Sequence, residues 1–168
     1  MAIAMHQISL PIFIRQLNGL AGCMKKAQAS YAEKKCDEAS LIAYRFYPDM
    51  FSFARQVQVA TDHAKNCAAL LAGIEAPQFE DNEKSLADLI ARVEKTIAYL
   101  NSIKPEQIDG TEAKPVTVRM RDRELKYTGL ELLQNRSMPN FYFHVTTAYN
   151  ILRHNGVAIG KRDFMGAS

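Results

Sequence analysis

Between Met50 and Leu71, apolar side chains recur at intervals of three and four: Met50, Phe53, Val57, Ala60, Ala64, Cys67 and Leu71. That period puts them on one face of a helix lying against a shared core, and it predicts a helix from near Pro48 to Gly73. A first helix is expected from about Ile3 to Tyr31, on Ile8, Ile12, Leu17, Leu20 and Met24, with a kink or broken first turn at Pro11. A third opens at Ser85, where Ser85-Leu86-Ala87-Asp88 resembles a capping box. It continues through Leu89, Val93, Ile97 and Leu100 to Ile103, ahead of the stop at Pro105. A fourth runs from Pro139, pre-set for a first helical turn, to Gly156, which can close it in the left-handed conformation.

The links differ in character. Gly73 to Lys84 is a polar connection that suits neighbouring helices packed antiparallel. More than 30 residues separate the third helix from the fourth, too many for a structureless loop in one compact domain. Val116 to Met120 alternates at period two, Arg121-Asp122-Arg123 intervenes, and Glu124 to Tyr127 alternates again, which predicts a small β-hairpin. Such a hairpin is marginal alone, so it is expected over one end of the helices with Val118, Met120 and Leu125 turned inward. Gly129 to Ser137 reads as a short helical piece, and residues 157–168 as a C-terminal tail.

Composition narrows the class. At 168 residues one domain over residues 1–168 is expected, and 48% hydrophobic with 23% charged residues is the balance of a globular protein. No apolar run nears the roughly 20 residues of a bilayer-spanning helix, so no membrane partner is expected. The first residues carry no basic leader and no small-residue cleavage site, which makes them mature structure and the cytoplasm the expected compartment. The three cysteines, Cys23, Cys36 and Cys67, are widely spaced with no CxxC pair, and are expected as reduced thiols. A net charge of +3 is mild, and Arg119, Arg121, Arg123 and Lys126 are interleaved with Asp122 and Glu124, so no nucleic-acid partner is expected.

Candidate chemistry concentrates on the fourth helix. Asn140, His144, Thr147, Ala148, Ile151 and Asn155 fall along one side at helical spacing, flanked by Phe141 and Leu152. An imidazole aimed at an apolar core is either a binding residue or a histidine held by a hydrogen bond. On the second helix, Val57, Ala60 and Ala64 mark the buried stripe, which puts His63 at its edge and Asp62 nearer the polar side. The candidate ligand-pocket residues are therefore His144, Asp62, His63, Tyr149, Asn140 and Tyr142, with the tyrosine hydroxyls as potential partners for His144. His154, in the last turn of the fourth helix, suits the carboxyl end of a helix dipole.

Three blocks, Pro139 to Val157, Pro48 to Lys65 and Gly73 to Glu83, resemble an uncharacterised family within the DinB/YfiT-like superfamily, and the similarity spans nearly the whole chain. The resemblance implies an all-α fold, a DinB-like up-down four-helix bundle with a small β-hairpin in the crossover before the last helix. It implies a homodimer, since related bundles often pair through helix faces. Members of the superfamily are described as candidate metalloenzymes, and some are thiol-dependent transferases using bacillithiol or mycothiol. Their metal is held by one histidine of the second helix and an HxxxH pair of the fourth; residues four apart share a face, and three ligands leave a position open. Here His144 matches the first histidine of the pair, but Ala148 stands at the second position. The resemblance then implies a degenerate site and a protein that binds a small molecule or serves structurally. The alternative is a metal- or thiol-dependent transferase or hydrolase-like enzyme with an altered ligand set around His144. A divalent metal would be held weakly, with His144, His63 and Asp62 as its candidate ligands.

Overall fold

A computed structural model describes residues 4–120 and 122–166. The long helices are α1 (Leu10–Lys34), α3 (Phe53–Ala72), α4 (Leu86–Ser102) and α6 (Met138–His154). α1 packs against α4 and α6, and α3 packs against the same two, so the four close a ring around one core. Phe13 of α1 meets Phe141 of α6 edge-on at 4.9 Å in its interior, with Leu17, Met24, Val57, Ala64, Val93 and Ile151 buried around them. Short elements complete the chain: α2 (Glu38–Ala43), β1 (Pro115–Arg119), β2 (Glu124–Thr128), α5 (Gly129–Glu131) and α7 (Lys161–Phe164).

Local chemistry accounts for most helix ends. Ser85 caps α4: its hydroxyl accepts from Asp88 N at 3.1 Å while Asp88 accepts from Ser85 N at 3.0 Å. A 3.0 Å bond from Lys84 N, together with the Ser85 bonds, holds the Asp88 carboxyl below its ordinary range. Ser52 caps α3, and Gly73 ends it with φ +70°, where a side chain would be strained.

Several expected boundaries move. α1 begins at Leu10, so Pro11 lies in the first turn, where no backbone donor is needed, and the helix runs unbroken to Lys34; Ile3, its expected start, falls outside the described residues. The second long helix starts at Phe53 rather than Pro48, and α2, capped by Asp37, precedes it unannounced. Pro139 does not open the last helix. α5 runs into a widened turn over Leu132–Ser137, in which Met138 N bonds Leu133 O five residues back, and continues into α6. Proline lacks a donor and its ring crowds the carbonyl four residues earlier, and the widened π turn relieves both.

β1 and β2 pair antiparallel, Val118 opposite Leu125. Val116 is buried and Val118 and Tyr127 pack against the core, but Met120 is 40% exposed, against the inward position expected for it. Arg121, expected to face solvent, lies outside the described residues. After β2 the chain passes so close to Thr111 that a Cβ on Gly129 would stand 2.1 Å from its carbonyl oxygen. Nor are residues 157–166 a loose tail. α7 docks on α1 through Lys26–Asp163 at 2.6 Å and Gln16 Nε2 donating to Phe164 O at 2.6 Å. Gly19 makes this possible, since a Cβ there would come within 2.7 Å of Phe164 O.

Candidate functional site

α3 and α6 run antiparallel along the seam that carries His144. Low on the seam, Gln56 Oε1 meets His144 Nδ1 at 2.7 Å; higher, Cys67 of α3 and Ser137, just before α6, are both buried. His144 is buried with its ring near-parallel to two others, His63 at 5.9 Å and Phe51 at 6.1 Å between centroids, while Phe143 meets it edge-on at 5.2 Å. Gln56 Nε2 donates to Phe51 O at 3.2 Å, so its amide oxygen is the acceptor and His144 Nδ1 carries the proton. Nε2 of His144 is then the lone-pair nitrogen.

Both imidazoles are held neutral. Burial, then the charges of His144 and Arg136, pull the His63 pKa down to about 4. Burial and the Arg55 guanidinium lower that of His144 as well. Arg55 also lies over the Phe51 ring at 5.8 Å and reaches Gln58 and Asp81, tying this mouth to the link before α4.

The predicted residues divide. His144 and His63 come together; Asp62 does not join them. It faces α4 instead, where Arg92, with its side chain 2% exposed, binds Asp62 at 3.1 Å, Asp81 at 3.0 Å and Glu83 at 2.9 Å. Arg92 also donates to Thr61 Oγ1 at 2.8 Å, and Phe79 lies beneath Arg92, Lys65 and Lys95. The link from Gly73 to Lys84 is thereby strapped onto α3 and α4. Asn140 donates to the Arg136 carbonyl at 2.7 Å. Tyr142 packs on Phe141, and Tyr149 on Phe164, so neither hydroxyl holds His144; Gln56 does that. His154, at the end of α6, sits 5.6 Å from the Tyr44 ring and 5.5 Å from Phe46. Gln56 belongs, with Gln58, Asp62 and His63, to the polar residues that the second helix offers near the site, and helical spacing sets it on the face of Phe53, Ala60, His63 and Cys67, where Gln56 and His63 are the polar interruptions. Phe51 and Arg136 carried no such signal, since a turn and the widened helix bring them in.

The metal implied by the superfamily does not fit these donors. Ala148 is fully buried and offers no ligand. His63 and His144 lie 5.9 Å apart between ring centroids, but Asp62, the third candidate ligand, is held by Arg92 at 3.1 Å and is not available to join them. Among the described residues no group of three or more His, Cys, Asp or Glu converges on such a point.

Four long helices with a hairpin in the last crossover and a polar seam between α3 and α6 define a DinB-like helical bundle. The chain belongs to the family described as a domain of unknown function, DUF1993, whose model matches residues 5–165. It is similar to the crystal structure of a DinB family member protein from Shewanella denitrificans, at 36% identity and TM-score 0.86 over 97% of this chain and 92% of that one. No curated protein matches it.

Proposed function

We propose that this protein binds a small molecule at the α3–α6 seam and works without the superfamily's three-histidine metal centre. The 2.7 Å contact between His144 Nδ1 and Gln56 Oε1 carries the proposal. It fixes the tautomer and leaves Nε2 as a neutral acceptor beside His63, itself neutral at pH 7. The ligand that suits this arrangement donates one hydrogen bond to Nε2 and lays a flat apolar face on Phe51 or Phe143, residues that are 48% and 59% exposed. Phenol has both features and serves as the probe. In a titration followed by histidine side-chain nitrogen NMR, the His144 Nε2 resonance should move in the wild type. Stoichiometric zinc retained through dialysis, with no response of Nε2 to phenol, overturns the proposal.

The alternative is a transferase or hydrolase-like enzyme that uses Nε2 as a general base, a role the same free lone pair favours. Its thiol would come from outside. Burial pushes the Cys23 thiol to about 11 and the Cys67 thiol to about 12, so neither is a thiolate at neutral pH. Turnover of an electrophilic dye with added thiol, abolished in His144→Phe, supports the enzyme over the binding protein.

We take the protein as a cytoplasmic homodimer without nucleic-acid or membrane partners. The mild net charge of +3 speaks against a nucleic-acid surface, and no helix among the described residues is long and apolar enough to cross a membrane.

A further inference from the structure

The two edges of the hairpin differ. Gly129 N bonds Lys114 O at 2.9 Å and Met120 N bonds Arg123 O at 2.9 Å, so the even-numbered residues of β1 spend their backbone groups on β2. The backbone groups of Pro115, Thr117 and Arg119 point the other way, and no partner for the N–H of Thr117 or Arg119 occurs among the described residues. The outer edge of β2 is guarded. Glu131 accepts from Thr128 N at 2.8 Å, and Lys126 stands at the centre of that edge. The β1 edge carries Pro115, which has no N–H, and the exposed Arg119, yet leaves the N–H groups of Thr117 and Arg119 open; beside it lies a cleft of about 460 Å³ between Thr117, Val118 and Arg119 on one side and Ala69, Leu70 and Ile74 on the other.

The geometry points to β1 as the dimer surface, pairing antiparallel with β1 of a second copy to make a four-stranded sheet. The inference rests on the homodimeric reading and adds the surface. Charge and register favour this occupant. Two-fold pairing centred on Thr117 sets Thr117 opposite its own copy, a favourable cross-strand pair, and Arg119 opposite Pro115, so no like charges meet. Thr117 N–H and C=O then bond reciprocally, and each Arg119 N–H reaches a Pro115 carbonyl, four bonds in all. The same operation on β2 would set Lys126 against Lys126, which disfavours it. The cleft leaves room for the incoming strand, with Leu70 and Ile74, the latter 41% exposed, as its apolar wall.

Sedimentation equilibrium of the full chain tests this, with circular dichroism as the control for folding. Thr117→Pro deletes an outward N–H while leaving the bonds to β2 intact, and Thr117→Lys sets two lysines face to face only in the assembled sheet. Both variants should weaken the dimer by roughly tenfold or more, the loss expected from two hydrogen bonds or a like-charge pair, with helix content unchanged. Thr117→Val, which keeps the N–H, should remain dimeric. Dimers of unchanged affinity in Thr117→Lys would overturn the β1 surface while leaving homodimerisation standing; a monomeric wild type would overturn both.

Discussion

Gln56 on α3 fixes the proton of His144 on α6, through a 2.7 Å bond made where the two helices cross the same level of the bundle. A histidine held this way has a structural role and a chemical one at once. The bond satisfies a buried nitrogen, and it decides which nitrogen stays free.

Breaking the pair should therefore cost stability. His144→Ala leaves Gln56 Oε1 unpaired and buried, and is expected to destabilise the protein by roughly 1–3 kcal/mol in urea unfolding. Gln56→Met should cost a similar amount, and the double variant less than the sum, because the second change removes a group the first had orphaned.

His63 sets an acid limb. Its pKa is about 4 when folded against 6.5 ordinarily, so the unfolded chain takes up the proton first. Stability present above pH 6.5 is lost progressively as pH falls towards 4. His63→Phe should flatten that part of the pH profile, read as the denaturation midpoint at pH 7 and pH 5.

Metal content follows from the donor set. Protein purified without an affinity tag should carry far less than one equivalent of zinc or nickel by mass spectrometry, because Ala148 offers no ligand and Asp62 is bound to Arg92, which leaves two imidazoles without a third donor. Restoring a ligand by Ala148→His should raise zinc affinity by at least about tenfold, each added ligand bringing a new metal bond.

Arg92 is the centre of the strap. Arg92→Met leaves the buried Glu83 carboxylate without its cation, while Asp62 keeps Lys65 and Asp81 keeps Arg55, at an expected cost of about 3 kcal/mol from a range of roughly 3–5. Two of the three carboxylates are partly exposed, which keeps the loss at the low end of that range. Faster proteolytic cleavage between Ala76 and Lys84 should accompany it.

The closeness of α7 to α1 gives a local test. Gly19→Ala puts a methyl group 2.7 Å from Phe164 O, so the helix must lift. Trypsin should then cut at Lys161 or Arg162 faster than in the wild type, with the thermal unfolding midpoint lower by a few degrees, as expected of overpacking at about 1–3 kcal/mol.

Periodicity determined a good deal by itself. The apolar repeats that place Val57, Ala64, Val93 and Ile151 in the core are local signals, and so are the Ser85–Asp88 cap and the alternation of β1 and β2, because each depends on residues within a turn or two. The inward aim of His144 was legible for the same reason. What lay beyond the sequence was partner choice. Asp62 and His63 are neighbours on one helix, 100° apart around its axis, and only the packing of α4 against one side and α6 against the other sends the first to Arg92 and the second to His144. Pro139 reads as a helix start in any local window, yet the chain runs through it. Leu132, Leu133 and Phe141 are all buried in the core, and the widened turn lets one continuous helix carry them past the proline. The tertiary structure decided these points because the free energy that settles them comes from groups brought together from distant parts of the chain.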